Sequence, residues 1–152
     1  MKHEGMVHAL EEILRLLKPG GTLIDIHPVV QAWLCEVNQG GRVLFAEPSP
    51  TYDYEEDLLQ AEEALAQVVQ RRLFDKELDG EFDFFTYASS AAELRGYLVK
   101  ASAYEDSTPD EGVTTRAEEL AVRAEQIRQA AGEGAEVAAH ERARITRLKP
   151  VS

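Results

Sequence analysis

Met6, Leu10, Ile13, Leu14 and Leu17 recur at the three- and four-residue steps of one helix face. Lys18-Pro19-Gly20-Gly21 then supplies a C-terminal cation, a breaker and two turn formers, so a first helix is predicted to end there. Thr22 to Ile26 is a short β-branched and aliphatic run closed by His27-Pro28, which predicts a buried strand. The runs Trp33 to Val37 and Arg42 to Ala46 flank Asn38-Gln39-Gly40-Gly41 and predict a β-hairpin, although they alternate only weakly.

From Asp53 a long helix is predicted, with Asp53 and Glu56 as a capping box and Leu58, Ala61, Leu65, Val68 and Val69 as its apolar stripe, running to about Leu73. Phe82, Phe84, Phe85 and Tyr87 make Glu81 to Ala88 a strand, after which Ser89-Ser90 opens a helix with Glu93 in capping position. Residues 104–112, acidic and broken by Pro109 and Gly112, predict a solvated, mobile loop. Thr115 and Glu118 are placed to cap a further helix with the stripe Leu120, Ala124, Ile127 and Ala131, ended by Gly132 and Gly134. Alternate apolar positions at Val137, Ala139, Ala143 and Ile145 predict one long final strand.

The expected fold class is α/β grading to α+β, with helices packed on a sheet whose late strands are antiparallel, plus the extra hairpin. At 152 residues, 1–152 is expected to form a single domain, and a hydrophobic fraction of 44% supplies a core. No run is long enough for a membrane span and no signal-peptide pattern opens the chain, so a cytoplasmic protein is expected. The single cysteine, Cys35, excludes an internal disulfide and reads as core filler. Twenty-eight acidic residues against 16 basic give a net charge of −12, a field that repels nucleic acid and anionic membranes, so neither is an expected partner. The local exception is Arg142, Arg144, Arg147 and Lys149, for which pairing with acidic neighbours is expected.

Ala9-Leu10, the helix end Leu17 to Gly21 and the strand Leu23 to Ile26 closely resemble the late part of class I S-adenosylmethionine-dependent methyltransferases. The resemblance is strong over about residues 6–28. Beyond that it rests on order: the helix from Asp53 resembles the family's next helix, and Glu81 to Ala88 with Ala135 to Leu148 resemble its terminal antiparallel pair. It implies a partial Rossmann-like sheet without the cofactor-binding N-terminal half, because the family's glycine-rich turn and ribose-binding acidic residue have no counterpart. Gly20-Gly21 and Gly40-Gly41 lack the spacing and sit in turns. No cofactor-binding residue carries over. S-adenosylmethionine is then expected only if a partner completes the site, and autonomous methyl transfer is not expected. Met1, so near the first helix, favours a naturally short protein over a cut one.

A strand such as Thr22 to Ile26 would normally have neighbours on both sides, so this chain is expected to cover its free edge. Either the hairpin folds back on it or a second copy pairs with it, and a homodimer is the favoured expectation. The leading functional reading is a homodimeric binding or structural protein. The alternatives are a methyltransferase subunit completed by a separate cofactor-half chain or by dimerisation, and a small-ligand sensor.

Asp25 and His27 share one face near the end of a strand and are the candidate catalytic pair, against a purely structural role. His140 on the final strand is a candidate to meet His27 across the sheet, but too few ligands accompany it for a metal site. Trp33, Phe45, Tyr52 and Tyr54 are the candidate ligand-binding aromatics beside the hairpin, against core or dimer packing. Ser49, Ser89 and Ser90 lack the flanking glycines of a serine nucleophile.

Overall fold

The computed structural model describes residues 3–50, 55–101 and 110–152. The element order is α1 (His3–Leu16), β1 (Leu23–Pro28), β2 (Leu34–Gln39), β3 (Arg42–Pro48), α2 (Glu55–Gln70), β4 (Phe74–Ala88), α3 (Ala91–Ala101), α4 (Glu111–Ala131) and β5 (Ala135–Pro150). The fold is mixed α and β, with an antiparallel sheet of hydrogen-bonding order β1-β5-β2-β3 and β4 also on β5. The chain divides into two compact units: Met1–Gln31, Tyr54–Phe82 and Arg142–Ser152 in the first, Ala32–Asp53 and Asp83–Glu141 in the second.

In the first unit, α1 and α2 bury their stripes with Phe74 and Leu148, and Val7, Ala64 and Val68 complete the centre of that core. The Pro-Gly-Gly turn joins α1 to β1 for a steric reason. Gly20 has φ +77°, and a Cβ on Gly21 would lie 2.8 Å from the Lys18 carbonyl, the same oxygen that accepts from Gly21 N–H at 2.8 Å. β1 pairs with β5 from Leu23↔Leu148 to Pro28↔Ala143, so Asp25 stands opposite Thr146 and His27 opposite Arg144.

The α2 stripe predicts a stop near Leu73, but the helix ends at Gln70. Arg72 takes φ +57°, its N–H bonds the Val69 carbonyl, and Leu73 N–H reaches back to the Val68 carbonyl. That is a Schellman stop built on a residue other than glycine. β4 can therefore start at Phe74 rather than Glu81. The predicted Asp53 cap lies outside the described residues.

In the second unit, the β2–β3 hairpin forms as predicted, with a register shift at Val37/Asn38, and β2 pairs with β5 from Leu34↔His140 to Gln39↔Ala135. Cys35, Val37, Val137 and Ala139 face Leu94, Leu120 and Ala124 in one core. Ser90 and Glu93 cap α3 as the sequence predicts: Glu93 N–H donates to Ser90 Oγ at 3.1 Å and Ser89 N–H to Glu93 Oε2 at 2.8 Å. α4 begins four residues before the expected Thr115 cap. Asp110 is its N-cap, accepting from Gly112 N–H at 3.2 Å, while the Thr115 hydroxyl donates to the Glu111 carbonyl. Of the predicted loop at 104–112, the part up to Pro109 lies outside the described residues, and Glu111 and Gly112 are helical.

Candidate functional site

In the first unit, strand alternation places Asp25 and His27 on one side of β1. His27 is 9% exposed, and its Nδ1 lies 2.5 Å from Asp25 Oδ2. Its Nε2 is 3.7 Å from Glu62 Oε1 on α2, an ion-pair distance without a hydrogen bond, and that nitrogen has no hydrogen-bond partner among the described residues. The hydrogen bond to Asp25 raises the His27 pKa above its usual value; burial opposes this, and the charges of Asp25 and Glu62 reinforce it. Arg144 closes the group at 3.8 Å from Glu62. The pair expected from the sequence is thus a hydrogen-bonded dyad, with a second carboxylate from a helix facing the far nitrogen. A ring held between carboxylates is a stabilised imidazolium, which can hold a proton and is a poor general base near neutral pH.

The basic cluster behaves as expected from its spacing. Arg142 pairs with Glu81 at 2.8 Å, Arg144 with Glu81 at 3.3 Å, Arg147 with Glu77 at 2.8 Å and Lys149 with Glu77 at 3.6 Å.

In the second unit, Trp33 and Phe45 are partly buried and pack against the core, and Arg123 lies over the Phe45 ring while clamping Glu47 through two bonds of 2.7 and 2.6 Å. Tyr52 and Tyr54 lie outside the described residues. Cys35 is buried, and burial, with Glu47 and Glu36 adding to it against Arg123, pushes its thiol up to about 11. That fits a core role rather than a nucleophile.

A different constellation forms here. Glu36, only 4% exposed, accepts from Asn38 Nδ2 at 3.1 Å and lies 2.7 Å from His140 Nδ1; His140 Nε2 is 3.2 Å from Asp83 Oδ1. Burial lowers the His140 pKa, but the bonds to Glu36 and Asp83 outweigh it and raise the value. Phe85 stacks on His140 at 4.3 Å between centroids, and Tyr87 stacks on Phe85 at 5.6 Å. His27 and His140 occupy separate groups, each with its own carboxylates. The sequence signal for this second group was Glu36 and Asn38 alternating with the core residues Cys35 and Val37, a polar face that the weak alternation of the hairpin concealed.

Comparison with protein-family models, curated proteins and solved structures finds no match. Among the described residues no group of three or more His, Cys, Asp or Glu is placed to hold a metal ion, and no helix is long and apolar enough to cross a membrane. Gly40-Gly41 joins two antiparallel strands, and Gly20-Gly21 lies between a helix and the strand that follows it, so neither forms a strand-to-helix cofactor turn.

Proposed function

We propose that this chain is a methyltransferase-like half-sheet that acts as a homodimeric binding protein and performs no methyl transfer of its own. The observation that carries the proposal is the free edge of β1. Its one partner among the described strands is β5, and the hairpin pairs with β5 rather than with β1. Val29 N–H donates to the Arg142 carbonyl at 2.9 Å, which fixes the alternation. Odd-numbered residues of β1 bond to β5, and Ile24 and Ile26 aim their N–H and C=O groups outward. Their side chains are 48% and 58% exposed. An edge with outward amides and exposed isoleucines is a template for another strand.

Charge selects a second copy and a register. With Ile26 on a two-fold axis, Ile26 exchanges both backbone bonds with its own copy, and Ile24 N–H meets the partner's Pro28 carbonyl. Asp25 then stands opposite the partner's His27. A slip by one pair puts Asp25 opposite the partner's Asp25, a repulsive arrangement. The free, buried Cys35 fits a reducing, cytoplasmic setting.

Titration calorimetry with S-adenosylmethionine and S-adenosylhomocysteine tests the absence of methyl transfer. No binding to a dimer supports the reading, and micromolar binding overturns it. The second reading is a subunit whose β1 edge receives a strand from a separate cofactor-bearing chain. It is favoured by a monomeric mass together with restored cofactor binding when such a chain is added.

A further inference from the structure

We infer that dimerisation through the β1 edge is tightened by acid and loosened by base, with Asp25 and His27 of the two copies as the responsive group. The inference rests on the proposed pairing of β1 with a second copy and adds its regulation. With Ile26 on the two-fold axis, Ile26 forms the hydrogen-bonded pair with its own copy. The positions on either side, Asp25 and the partner's His27, then form non-hydrogen-bonded pairs, whose Cα atoms lie about 4.5 Å apart and whose side chains are closest. A two-fold axis normal to the sheet keeps each face continuous, so the two Asp25–His27 pairs lie side by side on one face.

The charged groups facing the His27 ring come from each element packed against it. Asp25, on its own strand, has Oδ2 at 2.5 Å from Nδ1, and Glu62, on α2, has Oε1 at 3.7 Å from Nε2. Arg144 stands opposite His27 on β5, lies 3.8 Å from Glu62, and is shared with Asp79 and Glu81 of β4. With both rings protonated, each imidazolium stands between its own Asp25 and the partner's, and charges alternate across the axis. With both rings neutral, that attraction is gone and the Asp25 and Glu62 carboxylates of both copies remain on the face. Arg144 keeps its charge throughout, so it does not contribute to the change. The His27 and Asp25 side chains are only 10% and 26% exposed, which limits screening by water and salt. The hydrogen bond to Asp25 already raises the His27 pKa in the single chain, and the partner's carboxylate raises it further in the dimer. A proton held more tightly after association gives affinity that is complete below the single-chain value and is lost as pH rises through the dimer value.

The test is sedimentation equilibrium of the full chain between about pH 6 and 9, at loading concentrations that bracket the dissociation constant, with circular dichroism of the same samples reporting the folded state. The dimer dissociation constant should rise on the order of tenfold over that range, from the loss of two opposite-charge pairs. In His27→Gln it should change less than about twofold, and Asp25→Asn should lose most of the rise. Asp25→Asn keeps the test decisive if His27→Gln fails to fold. A folded parent dimer with a constant independent of pH, or a folded variant that keeps the parent's slope, would overturn the inference and leave the strand-edge reading standing. A parent that is monomeric across the whole range would overturn both.

Discussion

His27 Nδ1 lies 2.5 Å from Asp25 Oδ2, two residues back on the same strand, while its Nε2 faces Glu62 across to α2 at 3.7 Å. The imidazolium is therefore stabilised by folding, and the raised pKa couples stability to pH. A pKa raised in the folded state gives stability that is complete below the unfolded value, near 6.5, and is lost as pH rises through the folded value. Arg144 lies 3.8 Å from Glu62, the second carboxylate of the group. Denaturant midpoints measured between about pH 6 and 8 should fall for the parent chain and fall less for His27→Gln. His140, raised in the same direction by Glu36 and Asp83, accounts for the slope left in that variant. Parallel profiles would mean that His27 is neutral in the fold.

The stop of α2 leads to a stabilising substitution. Arg72 is exposed and holds φ +57°, a conformation that L side chains adopt at a cost. Arg72→Gly should raise stability by about 0.5–1 kcal/mol in chemical denaturation, the gain in the turn exceeding the added freedom of the unfolded chain. A loss of stability would show that the Arg72 side chain holds the turn.

At the start of α4 two substitutions separate the observed cap from the one expected from the sequence. Asp110→Ala should cost about 0.5–2 kcal/mol, as for loss of an N-cap. Thr115→Ala, inside the helix, should cost less, because its hydroxyl only doubles a bond to the Glu111 carbonyl. The reverse order in thermal or denaturant melts would move the cap to Thr115.

Cys35 should resist alkylation. With its thiol pushed up to about 11 and 4% exposure, the thiolate fraction at neutral pH is on the order of one in ten thousand. Iodoacetamide should modify the native chain far more slowly than the denatured one, as read by intact mass. Rapid modification of the native chain would make Cys35 a reactive residue.

Much of the fold was legible because local signals agreed with tertiary packing. The α1 stripe, the Pro-Gly-Gly turn and the Ser90/Glu93 cap each carry their mechanism in a few adjacent residues. The start of β4 did not, because Phe74 to Gly80 reads as charged and broken; its strand state comes from pairing with β5, where Glu77 meets Arg147 and Lys149. The α2 stop was hidden for a related reason, since nothing in an arginine announces a left-handed residue. Of the candidate site, Asp25 and His27 were visible through their spacing of two. Glu62 was not, because an acidic residue on a helix reads as solvated until a strand histidine packs beneath it. The cluster of Glu36, His140 and Asp83 joins three strands, and its one local sign, Glu36 and Asn38 alternating with Cys35 and Val37, gives no hint of the partners on the other two strands.

The central claim is that the free edge of β1 pairs with a second copy, and sedimentation equilibrium of the chain beside its Ile26→Lys variant tests it most directly. The account predicts twice the 16.9 kDa chain mass for the parent and a single-chain mass for the variant, whose lysine would meet its own copy on the axis. A parent chain that stays at 16.9 kDa up to concentrations of about 100 μM would contradict it.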